Sequence, residues 1–275
     1  MATTTKFATL LRNNNSDAMR TADAKYARLS LAEQVKFDLV VAHRWAARWQ
    51  WHEGVINHFT ALAPGYRDRF FAIPYGIHWS EIVPADILTV DLEGRALEGD
   101  GVIELSSLLI HAAMHRDLPQ AQVILHTHQP NITALTCLEN QSLSLCSQHA
   151  IHFAGRLSYL NSFGLAIEES IGEQINGAIK DKDILLMANH GVIVCGPTVS
   201  IAFDDLYTLD RACQLQLLAP AGSQQKLRTI PDNEAIELLA RARPKIIEEG
   251  DQHFRALRRL SLKKEPRLID NCQGE

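Results

Sequence analysis

Two histidines one residue apart, His126 and His128, close the apolar run Val123-Ile124-Leu125. Side chains of an extended segment alternate between faces, so both imidazoles project the same way and their nitrogens converge. A third, His190, stands in Asn189-His190-Gly191 just beyond the apolar run 184–187, where Gly191 is expected to let the chain turn sharply. Three imidazoles that leave coordination positions open form the donor set of a catalytic metal site. They suit a divalent ion, zinc first, with iron(II) or manganese as alternatives. An H-x-H pair alone is weak evidence, being common on half-exposed strands. Its company strengthens it: His111, His115, His126, His128, His149 and His152, six of the twelve histidines, fall within 42 residues, where even scatter would place about two.

Short strands and amphipathic helices must hold these side chains. Val35, Phe37, Leu39, Val40, Trp45 and Trp49 recur on a helical period over 31–51, and Ser30 with Glu33 three residues later forms a capping box. Pro64-Gly65, Pro74 and Gly76 punctuate short antiparallel strands over 70–73 and 87–90, and 91–95 supplies a turn. The pattern then predicts a helix over 106–114, a buried strand at 123–125, and a helix starting near Asn131. Strands at 149–153, 184–187 and 192–194 alternate with helices over 167–179 and 199–218. After the break at Pro220, Gly222 and Ser223, two C-terminal helices are expected over 233–241 and 244–260. Trp45, Trp49 and Trp51 read equally as interface anchors or as a buried stripe. The expected architecture is α/β, a three-layer α/β/α sandwich around a central mixed, largely antiparallel sheet. It divides into a loose polar tail at 1–28, one domain at 29–220 and a helical extension at 221–275.

Composition narrows the function classes. With 46% apolar and 21% charged residues, a 275-residue chain has the means to bury one sizeable core, which argues against disordered and fibrous classes. A net charge of -5 gives no general attraction for nucleic acid or anionic lipid. The basic run Arg255, Arg258, Arg259, Lys263, Lys264 is read as a solvated helix face. Five dispersed cysteines without a C-x-x-C pair fit a reducing cytoplasm. No segment approaches the roughly 20 apolar residues needed to span a bilayer, so a cytoplasmic protein acting on a small molecule is expected.

The segments Ser106-Ser107-x3-His111, Val123-Ile124-Leu125-His126-Thr127-His128 and Leu185-Leu186-Met187-Ala188-Asn189-His190-Gly191-Val192 resemble, in order and spacing, the class II aldolase/adducin family over roughly residues 30–218. The resemblance implies a divalent ion held by His126, His128 and His190, and a homotetramer with its active sites between neighbouring subunits. In the sugar-phosphate aldolases of the family, a glutamate four residues before the helix histidine moves the proton; here Ser107 occupies that catalytic position. A serine of ordinary acidity does not abstract a carbon-bound proton as a carboxylate does. Glu104, three residues earlier, is expected to point elsewhere.

The stretches Tyr75-Gly76-Ile77-His78-Trp79-Ser80-Glu81-Ile82 and Ser147-Gln148-His149-Ala150 are closer to the adducin-like branch, and make His149 the candidate proton shuttle. By the same resemblance, Asn57 and Thr60, with Ser106, hold the substrate's anionic group, while His78 and Glu81 line the pocket. The glycine of the usual G-N-x-S loop is missing, which favours a carboxylate or phenol over a phosphate. Three functions follow: a metal-dependent carbon–carbon lyase acting on a small oxygenated substrate, an iron(II) oxygenase using the same histidines, and a non-catalytic adducin-like binding protein.

Overall fold

Among the residues that the computed structural model describes, 17–162, 170–222 and 225–272, eight strands form one sheet. They are β1 (His58–Leu62), β2 (Arg69–Ala72), β3 (Leu88–Asp91), β4 (Ala96–Glu98), β5 (Val123–Thr127), β6 (Leu157–Leu160), β7 (Ile184–Met187) and β8 (Gly191–Gly196). The spatial order is β4-β3-β2-β1-β5-β8-β7-β6. Every pair is antiparallel except β6 with β7, so the sheet is mixed and largely antiparallel, as expected.

Alternation along the strands sorts the core into two layers. Phe59, Ala61, Val123, Leu125, Leu186 and Val194 face one side, against α2 (Leu31–Arg48), α8 (Val199–Leu218) and α9 (Asp232–Lys264). Ile124, Leu185, Ile193 and Cys195 face the other, against Ile110 and Met114 of one helical run and Ile171 and Ile175 of α7 (Ile171–Ile179). That helical run is built in three pieces: α3 (Leu105–Ser107), a π-helical turn (Leu108–Ala112) and α4 (Ala113–Asp117). Helices on both faces of the sheet make the three-layer sandwich. At the start of α2, Ser30 Oγ accepts the Glu33 N–H at 3.3 Å and the Glu33 carboxylate accepts the Ser30 N–H at 2.6 Å, completing the capping box. No helix of the described residues is long and apolar enough to cross a membrane.

The structure corrects several expectations. Residues 17–27 are not loose tail but helix α1 (Asp17–Ala27), tied down where Asp23 meets Arg255 at 3.0 Å and Arg259 at 3.8 Å. The three arginines of the basic run are therefore docked, Arg258 gripping the buried Asp38 through two bonds of 2.6 and 2.7 Å, while Lys263 and Lys264 are exposed as expected. The two C-terminal helices are one, α9, which carries Pro244 inside it. A proline removes one backbone donor and kinks a helix without ending it where tertiary packing, here against α8 and α2, holds both sides. The strand expected at 149–153 is the short helix α6 (Gln148–Ile151); the strand of this region is β6, further along. Near Asn131, α5 (Pro130–Thr136) forms as expected. Positions 1–16 of the tail and 167–169 of the expected helix lie outside the described residues. The tryptophans form a core stripe: Trp51 is buried, and Trp49 stacks on Phe203 with ring centres 5.7 Å apart.

Candidate metal centre

Register on β5 aims the first ligand. His126 pairs across the sheet with Ile193 of β8 and His58 of β1, and shares a face with Ile124, so its ring enters the layer covered by the α3–α4 run. Its Nδ1–H donates to the Val192 carbonyl at 2.9 Å, which fixes the tautomer and leaves the Nε2 lone pair free. That lone pair stands 3.1 Å from His128 Nε2. His190 arrives from the β7–β8 turn, where Asn189 takes a left-handed conformation (φ 55°) and donates its N–H to the Thr136 carbonyl at 3.0 Å. Its ring centre lies 5.1 Å from that of His126 and 4.7 Å from that of His128. One nitrogen from each of the three imidazoles lies within 4.8 Å of the others.

The donor set fits a divalent cation. Tetrahedral zinc with bonds of roughly 2.0–2.1 Å holds its nitrogens about 3.3 Å apart, close to the spacing of His126 and His128. Metal ligation needs neutral imidazoles, and burial keeps these three neutral: His190 falls to about 4, His126 lies well below its ordinary value, and His128 is lowered too.

Gly191 matters for a different reason than expected. The positive φ of the turn belongs to Asn189, whereas a β-carbon at 191 would stand 2.7 Å from His128 Cδ2 and closer still to the Thr127 carbonyl oxygen. Glycine is there to admit the neighbouring ligand.

A narrow cleft with a volume of about 10 Å³ is lined by Asn57, His58, Tyr75, Ile103, Glu104 and Ser107, among others, and meets the triad through His58, whose ring centre is 5.1 Å from that of His126. Asn57, held at φ 71°, and Ser107 are both buried, and Asn57 Nδ2 and Ser107 Oγ have no hydrogen-bond partner. Both donors on this wall are thus left free to meet a ligand. Glu104 overturns its expectation. As N-cap of α3, in extended backbone, it folds its carboxylate back to accept the Ser107 N–H at 2.9 Å and the Ser106 hydroxyl, 3.9 Å from His58 Nε2. Burial raises its pKa, but the hydrogen bonds from Ser106 and Ser107 outweigh that and hold it below the ordinary carboxylate range.

Thr60, expected at the anion, is fully buried, and its hydroxyl is taken by His111 Nδ1 at 2.7 Å and His115 Nε2 at 2.8 Å, so it positions imidazoles instead. Ser106 bridges Glu104 and His58. His149 is exposed on α6, which packs against α8 and α9 in the layer opposite the triad, and the structure does not bring it to the site. His78 and Glu81 close a turn of their own, with the His78 N–H bonded to Glu81 Oε1 at 2.9 Å and its ring on His52, apart from the triad. The sequence reading missed His58; treating 58–62 as a strand would have put His58 and Thr60 on one polar face, alternating with Phe59 and Ala61.

An α/β/α sandwich with a triple-imidazole cluster where β5 meets the β7–β8 turn defines a class II aldolase-like fold. Residues 37–217 match the family model of the class II aldolase and adducin N-terminal domain, and the chain belongs to that family. An aldolase class 2 protein of Pseudomonas aeruginosa is 30% identical over 222 residues, covering 80% of this chain and 83% of its own. A 4-hydroxy-3-prenylphenylpyruvate oxygenase/4-hydroxy-3-prenylbenzoate synthase of Streptomyces roseochromogenus is 28% identical, covering 68% of each chain. Among solved structures, an aldolase II superfamily protein of Pseudomonas syringae superposes with a TM-score of 0.78 at 26% identity, covering 90% of this chain and 98% of that one.

Proposed function

We propose that this protein is a divalent-metal-dependent enzyme that makes or breaks a carbon–carbon bond in a small hydroxy-carbonyl or hydroxy-acid substrate. The observation that carries the reading is the convergence of His126, His128 and His190, one nitrogen from each within 4.8 Å of the others. A divalent cation held there, zinc being the first expectation, supplies Lewis-acid polarisation of a carbonyl. The chain supplies the rest. Asn57 Nδ2 and Ser107 Oγ orient an anionic or hydroxyl group of the substrate, and the buried His58 walls the cleft against water. The aldolase class 2 relative supports this reaction type, the family resemblance supports a homotetramer, and the five free cysteines support a reducing cytoplasm. Elemental analysis of natively purified protein, followed by proton exchange at C1 of hydroxyacetone in D₂O, tests it. Undiminished exchange in the His126→Ala, His128→Ala double variant would sink it.

A second reading loads the same histidines with iron(II) and makes the protein an oxygenase of a phenolic 2-oxo acid; the Streptomyces relative favours it. Oxygen uptake on adding 4-hydroxyphenylpyruvate to iron-reconstituted protein separates the two. A non-catalytic adducin-like role predicts an intact fold purified without metal, which the same elemental analysis reads.

A further inference from the structure

Behind the metal centre runs an unbroken line of hydrogen bonds that metal binding does not explain. His115 Nδ1 meets the Ala121 carbonyl at 2.7 Å, and His115 Nε2 meets Thr60 Oγ1 at 2.8 Å. Thr60 Oγ1 meets His111 Nδ1 at 2.7 Å, and His111 Nε2 meets His58 Nδ1 at 2.9 Å. His58 Nε2 then faces Ser106 Oγ at 3.2 Å, and Ser106 is bonded to Glu104. His58, Thr60, His111 and His115 are all buried.

The polarity of this line is forced from its inner end. A carbonyl only accepts, so His115 carries its proton on Nδ1; kept neutral by burial, it accepts at Nε2. Thr60 must spend its single proton there, so its oxygen accepts from His111 Nδ1–H. Neutral His111 then accepts at Nε2 from His58 Nδ1–H, and neutral His58 is left with a lone pair aimed at Ser106. Ser106 has one proton and two claimants. If Glu104 is ionised, the proton goes to the carboxylate, and two lone pairs oppose each other between Ser106 and His58. If Glu104 is protonated, its O–H donates to Ser106, Ser106 donates to His58, and every bond in the line is satisfied. The line is one proton short, and the vacancy sits at the cleft.

From this parity we infer that Glu104 is the acid–base group of the site. The inference rests on the proposed enolising chemistry for its substrate, while the wire itself is independent of it. A ligand C–H bond beside a carbonyl breaks, its proton forms an O–H bond on Glu104, and its electron pair moves into the new enolate double bond; the reverse step returns the proton. Glu104 rests ionised under the hydrogen bonds from Ser106 and Ser107, and completing the wire on protonation offsets part of the cost of taking the proton. Thr60, His111 and His115 are positioning residues, because they act only through His58. The titratable group facing Glu104 is His58, from β1, and Tyr75 lines the same cleft.

The test uses the full zinc-loaded chain with hydroxyacetone in D₂O, read by loss of the C1 proton signal. Glu104→Gln is expected to slow exchange at least 100-fold with zinc content and melting temperature retained, and Glu104→Asp to recover part of the rate. Wild-type exchange in Glu104→Gln overturns the inference. A second readout needs no activity. In metal-free protein, ¹⁵N spectra should show His115, His111 and His58 as Nδ1–H tautomers, and titrating the Glu104 carboxyl should move the His58 Nε2 resonance in step. Ser106→Ala should abolish that coupling. If wild-type protein fails to exchange hydroxyacetone, the lyase reading falls and the spectra decide the wire: an Nε2–H tautomer at His58, or an Nε2 resonance indifferent to Glu104, overturns it.

Discussion

His126 Nε2 and His128 Nε2 lie 3.1 Å apart, and the bond from His126 Nδ1 to the Val192 carbonyl leaves the His126 nitrogen without a proton to bridge them. In the metal-free protein the His128 Nε2–H donates to the His126 Nε2 lone pair, and a shared cation replaces this one bond with ligation by all three rings. Chelation should therefore destabilise the protein as well as silence it. At a metal concentration a hundredfold above its dissociation constant, binding contributes about 2.7 kcal/mol of folding stability. Thermal melts with and without a strong chelator check this, and His126→Ala should melt like the chelated wild type whether or not zinc is added. A chelator-insensitive melting temperature in zinc-loaded wild type would contradict the shared-cation geometry.

Acid should weaken the metal-free fold before it touches most carboxylates. His43 and His115 are 0% and 1% exposed, and burial lowers each from 6.5 to about 4. Between those values the unfolded chain binds protons that the folded chain refuses, so stability is full above pH 6.5 and declines as pH falls toward 4. Each such histidine contributes a slope of up to about 1.4 kcal/mol per pH unit. Urea unfolding of chelated protein at pH 7, 6 and 5 should show a falling midpoint, and a flat profile would mean that these rings find partners for their charge.

Glycine substitutions separate the site from the scaffold. Gly191→Ala drives a methyl group into the His128 ring and the Thr127 carbonyl, and should cost about 1–3 kcal/mol of stability along with at least tenfold in zinc affinity. Gly177 in α7 has nothing within 4 Å of where its β-carbon would stand, so Gly177→Ala should stabilise by about 0.5–1 kcal/mol and leave zinc binding alone. Melting temperature and zinc titration read both. Equal behaviour of the two variants would show that 191 is not crowded.

Strand periodicity made His126 and His128 legible, and the turn motif made His190 so. Long capped elements such as α2 and α8 were legible for the same reason: local signals agree over many turns. What escaped was decided at a distance or by an exception. The apolar run near 149–153 became α6 because Ser147 Oγ caps it, accepting the Ala150 N–H at 3.1 Å, and short apolar runs do not distinguish helix from strand. Glu104 reaches the cleft because α3 has an extended N-cap and runs into a π-helical turn, a local departure found often at functional sites. Thr60 was assigned to a ligand because nothing local reveals that two imidazoles, 51 and 55 residues away, take its hydroxyl.

Asn57 offers the sharpest separation of binding from folding. Its φ of 71° is a conformation that glycine adopts freely and that costs other residues about 1–2 kcal/mol, while its Nδ2, buried and unpartnered, lines the cleft. Asn57→Gly should therefore keep or slightly raise the melting temperature and still lose the donor. Asn57→Ala loses the donor and also keeps the strain without the side chain that tolerates it. With hydroxypyruvate as an anionic probe and hydroxyacetone as a neutral one, Asn57→Gly should raise the half-saturating concentration of the anionic probe about tenfold, the worth of a hydrogen bond to a charged group. Exchange of the neutral probe should change little. If both probes suffer equally, Asn57 shapes the cleft and does not read charge; if neither does, the orphaned amide has no ligand to meet.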